Sequence, residues 1–160
     1  MDWGFVNVDT DDSTSYKVAC FAMICHHCGE RYIEFFPNAK QENLFIGMIH
    51  AFKRMGVPDH VLTDNMKTFM DEPRTEYSKR KVNGRFQHFA SDYGFAVKPC
   101  IAGRPQTKAK VDAPMKLLDE IYAYNGLLDY QVLNELVQRL NERINHQVHP
   151  GTGRRRCEIL

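Results

Sequence analysis

Apolar residues come in short continuous runs early in the chain and in helix-spaced stripes later. Residues 1–8 carry Trp3, Phe5, Val6 and Val8, and residues 17–24 run with little polar interruption from Val18 to Ile24. A run of that length between polar turns predicts a strand buried on both faces. Residues 31–36 add Tyr32, Ile33, Phe35 and Phe36 before Pro37. The connections, 9–15 and Cys25-His26-His27-Cys28-Gly29, are short and polar, so an antiparallel three-stranded meander is expected.

The period then changes. Leu44, Phe45, Met48, Ile49, Phe52 and Met55 recur every three to four residues and predict an amphipathic helix, ended by Gly56 and Pro58. A strand over 60–64 follows, and strand, crossover helix and strand in that order add a parallel strand. Residues 66–83 have weak pattern and read as a long, mobile loop. Asn83 caps a short helix with Phe86, Phe89, Ala90 and Tyr93 inward and Gly94 as its stop. A strand over 95–101 and a loop at 102–106 come next. Pro114 fits only a first helical turn, which starts the next helix near Asp112 and carries it to Tyr124. Asp129 opens a last helix with Leu133, Leu136, Val137, Leu140 and Ile144 as its stripe. The order β-β-β-α-β-α-β-α-α predicts an α/β fold. Its five-stranded mixed sheet has three antiparallel and two parallel strands, with helices on both faces. Residues 1–149 read as the core and 150–160 as a basic tail or linker.

Composition narrows the class. A chain of 160 residues fits one domain with a proper core. No apolar run approaches the ~20 residues of a membrane span, and the acidic, polar start does not resemble a signal peptide. No membrane partner is expected. Five cysteines, an odd number and partly within apolar runs, suit a reducing cytoplasm better than a disulfide framework. The net charge of +1 is silent about nucleic acid, but its distribution is not. Asp2, Asp9, Asp11 and Asp12 lie at the start; Arg74, Lys79, Arg80, Lys81 and Arg85 cluster mid-chain. Lys98, Arg104, Lys108, Lys110 and Lys116 surround Asp112, and Arg154-Arg155-Arg156 lie near the end. Such clusters suit an acid-lined site facing a polyanion, and equally a solvated surface.

The candidate chemistry centres on Val61-Leu62-Thr63-Asp64-Asn65, an apolar run ending in a carboxylate at a strand exit. Asp2 on the first strand and Asp112 at a helix start are its candidate partners. Close carboxylates repel, and a divalent cation is the usual compensation. Hard oxygen donors without His or Cys favour Mg²⁺ or Mn²⁺, and two such ions ~3.5–4 Å apart support phosphodiester displacement. The plainer alternative makes Asp64-Asn65 a turn, Asp112 a helix cap and Asp2 part of a frayed terminus. Cys25 and Cys28 have the spacing of half a zinc site, but Cys100 and Cys157 are single and His88, His146 and His149 scattered, so a hairpin turn with free thiols is expected. No nucleophile elbow and no Gly-rich phosphate loop is present.

A resemblance shifts the balance. Asp2-Trp3-Gly4, Arg31-Tyr32-Ile33-Glu34-Phe35, Ala51-Phe52 through Gly56-Val57-Pro58 to Thr63-Asp64-Asn65-Met66-Lys67, Phe86-Gln87-His88-Phe89-Ala90 to Tyr93-Gly94-Phe95, Pro105-Gln106-Thr107-Lys108-Ala109-Lys110-Val111-Asp112 and Leu133-Asn134-Glu135-Leu136 stand in a telling order. In that order and spacing, over roughly 2–145, the chain resembles the catalytic core of IstA-type insertion-sequence transposases. These fall within the retroviral-integrase superfamily of ribonuclease H-like folds. The resemblance implies an Asp-Asp-Glu (DDE) site with two Mg²⁺ that cleaves and transfers DNA strands at transposon ends. By position, Asp2, Asp64 and Asp112 are its acids. Lys67, Lys108 and Lys110 are phosphate contacts beside the metals, and Lys79, Arg80, Lys81 and Arg104 further DNA contacts. It also implies a homodimer and an upstream helix-turn-helix region that this chain lacks, so a core fragment is expected, without the residues that would complete the first strand. Two positions depart from the family: Asp112 stands where it carries Glu, and Ala109 where it usually carries Gly. A catalytically silent core that keeps a DNA-binding or dimerisation surface, and a cellular nuclease of the same fold, remain as alternatives.

Overall fold

The computed structural model describes residues 1–9, 14–63, 70–72, 81–99 and 130–155. Its first three strands are β1 (Asp2–Asp9), β2 (Ser15–Ile24) and β3 (Arg31–Phe36). They form the expected meander: β1 pairs antiparallel with β2 from Asp2↔Ala22 to Asp9↔Ser15, and β2 with β3 from Ala19↔Phe36 to Ile24↔Arg31. Helix α1 (Gln41–Met55) leads to β4 (His60–Thr63). Two short strands follow, β5 (Met70–Glu72) and β6 (Lys81–Val82), then α2 (Gly84–Tyr93), β7 (Ala96–Pro99) and α3 (Tyr130–Asn145). Parallel pairing of β4 with β7 supplies the two parallel strands.

Alternation along β2 explains its unbroken apolar run, because each side chain enters one of two cores. Ala19, Phe21 and Met23 join Trp3, Tyr32 and Phe36 under α1 and α2; Val18, Cys20 and Ala22 join Val6, Val8, Ile33 and Phe35 under α3. Helices therefore cover both faces. Asn83 caps α2 as expected, its side-chain oxygen accepting from the amides of Arg85 (3.1 Å) and Phe86 (3.3 Å), and Gly94 closes it at φ 81°. Phe45 of α1 stacks on Phe89 of α2 at 4.5 Å between centroids, locking the two helices together.

The segment expected to be one long loop differs. Within it β5 and β6 pair antiparallel, with an irregular register between Met70 and Glu72. Polar residues such as Asp71, Glu72 and Lys81 give such a ribbon no apolar alternation to read. Near the end, Val148 bridges Arg155, and the His149 amide donates to the Arg154 carbonyl (2.8 Å). The expected helix 112–124 and the Asp129 cap lie outside the described residues. Among the described residues no helix is long and apolar enough to cross a membrane.

Two details set how the sheet is held. Gly47 lies on the buried face of α1, where an added Cβ would stand 2.9 Å from Phe21 Cγ and 3.2 Å from Phe36 Cε2. Both rings are buried, so they cannot simply swing away. Gly47→Ala is therefore expected to destabilise: overpacking costs about 1–3 kcal/mol, and the better helix propensity of alanine offsets roughly 1 kcal/mol of it. A urea melt in which the variant is as stable as the parent would remove the close-approach argument.

The second detail is Glu30, 2% exposed just before β3, with Oε1 accepting from Arg54 Nε at 3.2 Å. Burial raises its carboxyl above the usual range, and Arg54 only partly counters this. A carboxyl raised in the folded state holds its proton to higher pH than in the unfolded chain, so stability falls as pH rises from the ordinary carboxylate range through the raised folded value. Glu30→Gln is expected to flatten that decline. Melting temperatures across pH 4–8 that keep the same slope in both proteins would contradict it.

Candidate metal centre

Asp2 opens β1 and is 6% exposed. Its Oδ1 accepts from the Trp3 amide at 2.9 Å. Alternation sends Trp3 to the α1 core and Asp2 to the opposite face, with Val6 and Val8. Cys20 occupies that face on the neighbouring strand. Its thiol is raised far above the usual range, first by burial and then by the Asp2 charge, which fits a carboxylate on that side.

The start of β1 lies beside β4. The Met1 ammonium donates to the Leu62 carbonyl at 3.0 Å. Met23 and Ile24, which reach past the start of β1, line the same groove as His60 and Val61, which precede Leu62. The described strands pair as β1-β2-β3 and, separately, β4-β7, and the Met1–Leu62 bond sets the start of β1 beside β4. Val61 packs in the α1 core with Trp3, and Thr63, two residues on, is fully buried. The chain thus brings Asp2 abreast of the end of β4.

Of the other residues singled out from sequence, Lys81 lies in β6. Asp64, Asp112, Lys67, Lys79, Arg80, Arg104, Lys108 and Lys110 lie outside the described residues. Among the described residues, no three His, Cys, Asp or Glu side chains converge as a metal site. Cys25 to Gly29 is a hairpin turn: the Cys25 amide donates to the Glu30 carbonyl and the Gly29 amide to the Cys25 carbonyl, both at 2.8 Å. The Cys28 amide reaches Cys25 Sγ at 3.4 Å, and burial, reinforced by the Cys25 thiol, pushes the Cys28 thiol up to about 11.

Sequence reasoning passed over Asn141 and Asn145. Asn141 grips the Ile33 peptide unit, accepting from its amide at 2.9 Å and donating to its carbonyl at 2.8 Å. Asn145 does the same to Arg31, at 2.9 and 2.7 Å. These are the outward-facing groups of an edge strand, so the two amides stand in for a missing neighbour strand. The signal was available: 133, 137, 141 and 145 form one i, i+4 row, and two of its four positions are Asn on an otherwise apolar stripe.

A meander, a parallel pair and helices on both faces define a ribonuclease H-like fold. The integrase catalytic core domain of HTLV-2, solved in complex with magnesium, superposes with a TM-score of 0.67 at 16% identity, covering 98% of this chain and 93% of that one. In sequence the chain belongs with the insertion-sequence transposases. It is 54% identical over 115 residues to the transposase for insertion sequence element IS232 of Bacillus thuringiensis subsp. berliner, covering 71% of this chain and 27% of the relative. It is 34% identical over 156 residues to the putative transposase for IS5376 of Geobacillus stearothermophilus, covering 96% of this chain and 38% of the relative. The chain thus spans roughly a quarter to two-fifths of the length of these relatives. No protein-family model matches it.

Proposed function

We propose that the chain is the catalytic core of a DDE-type transposase, a divalent-cation-dependent polynucleotidyl transferase that cleaves and joins DNA strands at transposon ends. The observation that carries this reading is the buried Asp2 carboxylate abreast of the end of β4. Asp64, which follows Thr63 in sequence, is proposed as the second acid and Asp112 as the third. Carboxylates are hard oxygen donors suited to Mg²⁺ or Mn²⁺. When bound, two such ions supply Lewis-acid activation of the attacking hydroxyl and stabilise the leaving oxygen.

The protein's own part is positional. Asp2, held by its strand and by the Trp3 amide, and Asp64 fix the donor geometry. Lys67, Lys108 and Lys110 contact phosphates beside the acids, while Lys79, Arg80, Lys81 and Arg104 hold the DNA backbone further out. Transposon-end and target DNA are the proposed partners, with a second copy of the chain making a homodimer, and the cytoplasm is the proposed place of work. Residues 1–149 form the proposed core, with 150–160 as a basic tail or linker.

Asp112 sets the test. An aspartate is one methylene shorter than the glutamate the family carries, so the helix bearing it must come closer for ligation. Mn²⁺-dependent nicking of end DNA is expected from the parent chain, and Asp112→Glu is expected to raise it severalfold. Loss of nicking in Asp112→Glu, with parent activity intact, would mean that Asp112 is not the third acid. Absence of nicking and strand transfer in both would leave a silent core.

A further inference from the structure

The turn between β2 and β3 carries two cysteines that the proposed chemistry leaves unused. Cys25 and Cys28 stand three residues apart, in a turn closed by the Gly29 amide on the Cys25 carbonyl and the Cys25 amide on the Glu30 carbonyl, both at 2.8 Å. A turn keeps the Cα atoms of its first and fourth residues within about 7 Å, and a disulfide usually spans roughly 4.4–6.8 Å. The side chains converge as well. The Cys28 amide donates to Cys25 Sγ at 3.4 Å, and the two thiols hydrogen-bond to each other. Both are free thiols in this structure.

The two sulfurs differ in what can reach them. Cys28 is fully buried, whereas Cys25 is half-buried and lines a groove of about 440 Å³ with His26, His27 and His60. His26 and His27, the residues between the cysteines, are exposed. A reagent in solvent therefore meets Cys25 first. The thiolate is the attacking species. Burial, reinforced by the Cys25 thiol, pushes the Cys28 thiol up to about 11, which makes Cys28 a poor first attacker. Cys20 of β2 is fully buried and its thiol is raised far above the usual range, so it does not compete.

We propose that Cys25 and Cys28 form a reversible dithiol–disulfide switch, closed by a small-molecule disulfide such as oxidised glutathione and reopened by a thiol. In the first step the Cys25 thiolate attacks one sulfur of the small disulfide, whose S–S bond breaks. One glutathione leaves as a thiolate and takes a proton from water; the other stays on Cys25 as a mixed disulfide. Cys28 then gives its proton to solvent and attacks Cys25 Sγ. The bond from Cys25 to glutathione breaks, and the second thiolate leaves and is protonated. Two protein thiols are oxidised, and one small disulfide is reduced to two thiols. The turn already holds the sulfurs together, so closure asks for little further chain entropy. In a reducing compartment the dithiol is the resting form, and closure reports a more oxidised glutathione pool. The closed bond locks the turn where it lines the same groove as Met1 at the start of β1. The inference rests on the turn alone and not on the reading of Asp2 as a metal ligand.

The test treats the folded chain with oxidised glutathione, alkylates the remaining thiols and fragments the peptide 18–31, which carries Cys20, Cys25 and Cys28. A Cys25–Cys28 bond is expected to exceed any bond to Cys20 at least roughly tenfold, and dithiothreitol should reverse it. Cys28→Ser is expected to stop at a glutathione adduct on Cys25. Cys25→Ser should take up at least about tenfold less glutathione within the same peptide, because Cys28 is shielded. In the closed parent the amides of Cys25 and Gly29 are expected to exchange at least roughly threefold more slowly. Absence of the Cys25–Cys28 bond, a glutathione adduct that persists on Cys25 of the parent, or equal adduct in the two variants overturns the proposal. One equivalent of zinc in the purified parent that blocks closure also overturns it, by assigning the pair to a metal. Unchanged exchange of both amides after closure overturns the lock.

Discussion

Asp2→Asn is expected to lower Mn²⁺-dependent cleavage and joining of transposon-end DNA by at least about a thousandfold, the scale of several kcal/mol of lost metal-supplied stabilisation. The substitution is nearly isosteric, and the asparagine oxygen can still accept from the Trp3 amide as Asp2 Oδ1 does. What disappears is the charge. Burying a carboxylate on the face it shares with Val6 and Val8 is costly, and a bound cation offsets that cost. Adding Mn²⁺ is expected to raise the melting temperature of the parent and not that of Asp2→Asn, because only a state that binds the ion is stabilised by it. A variant that keeps strand transfer, or gains the same Mn²⁺-dependent shift, would remove Asp2 from the metal centre.

The largest expected effect on stability is Asn141→Leu. Leucine is close in size and suits the apolar stripe of α3 in which Asn141 sits. Side-chain packing alone predicts a mild change. Hydrogen bonding predicts the reverse, since the amide and carbonyl of Ile33 would both lose their partner in a fully buried position. Each orphaned group costs about 1–3 kcal/mol, so the loss is expected at roughly 2–5 kcal/mol, a large part of the stability of an ordinary domain. Denaturant melts measure it. A second variant, Asn145→Leu, removes the same clamp at Arg31, which is only half-buried, and should cost less. If Asn141→Leu left the midpoint unchanged, the clamp would be incidental to the edge of the sheet.

How far each feature could be read ahead depended on whether its cause is local. The continuous run of β2, the stripe of α1 and the Asn83 and Gly94 stops of α2 are written in neighbouring residues, through alternation, helical period and cap chemistry. The β5–β6 ribbon was not, because its polar residues carry no alternation. Gly47 is a similar case: in sequence it is a poor helix residue, and only the nearness of Phe21 and Phe36 makes it fit. Asn141 and Asn145 were visible as polar intruders on an apolar row. Their role needed β3 to be the edge of the sheet, a fact about strand order that the chain does not display.

The acids divide the same way. That Asp64 follows a buried strand and that Asp2 belongs to the first strand are local facts, and the order of the motifs was enough to suggest an integrase-like core. That Asp2 turns away from Trp3, beside Cys20 and level with the end of β4, depends on the Met1–Leu62 contact, between residues 61 positions apart. Periodicity reports which face of its own element a residue takes. Which elements lie side by side is settled by long-range packing, because contacts between distant residues depend on how whole strands and helices bury their apolar faces against one another.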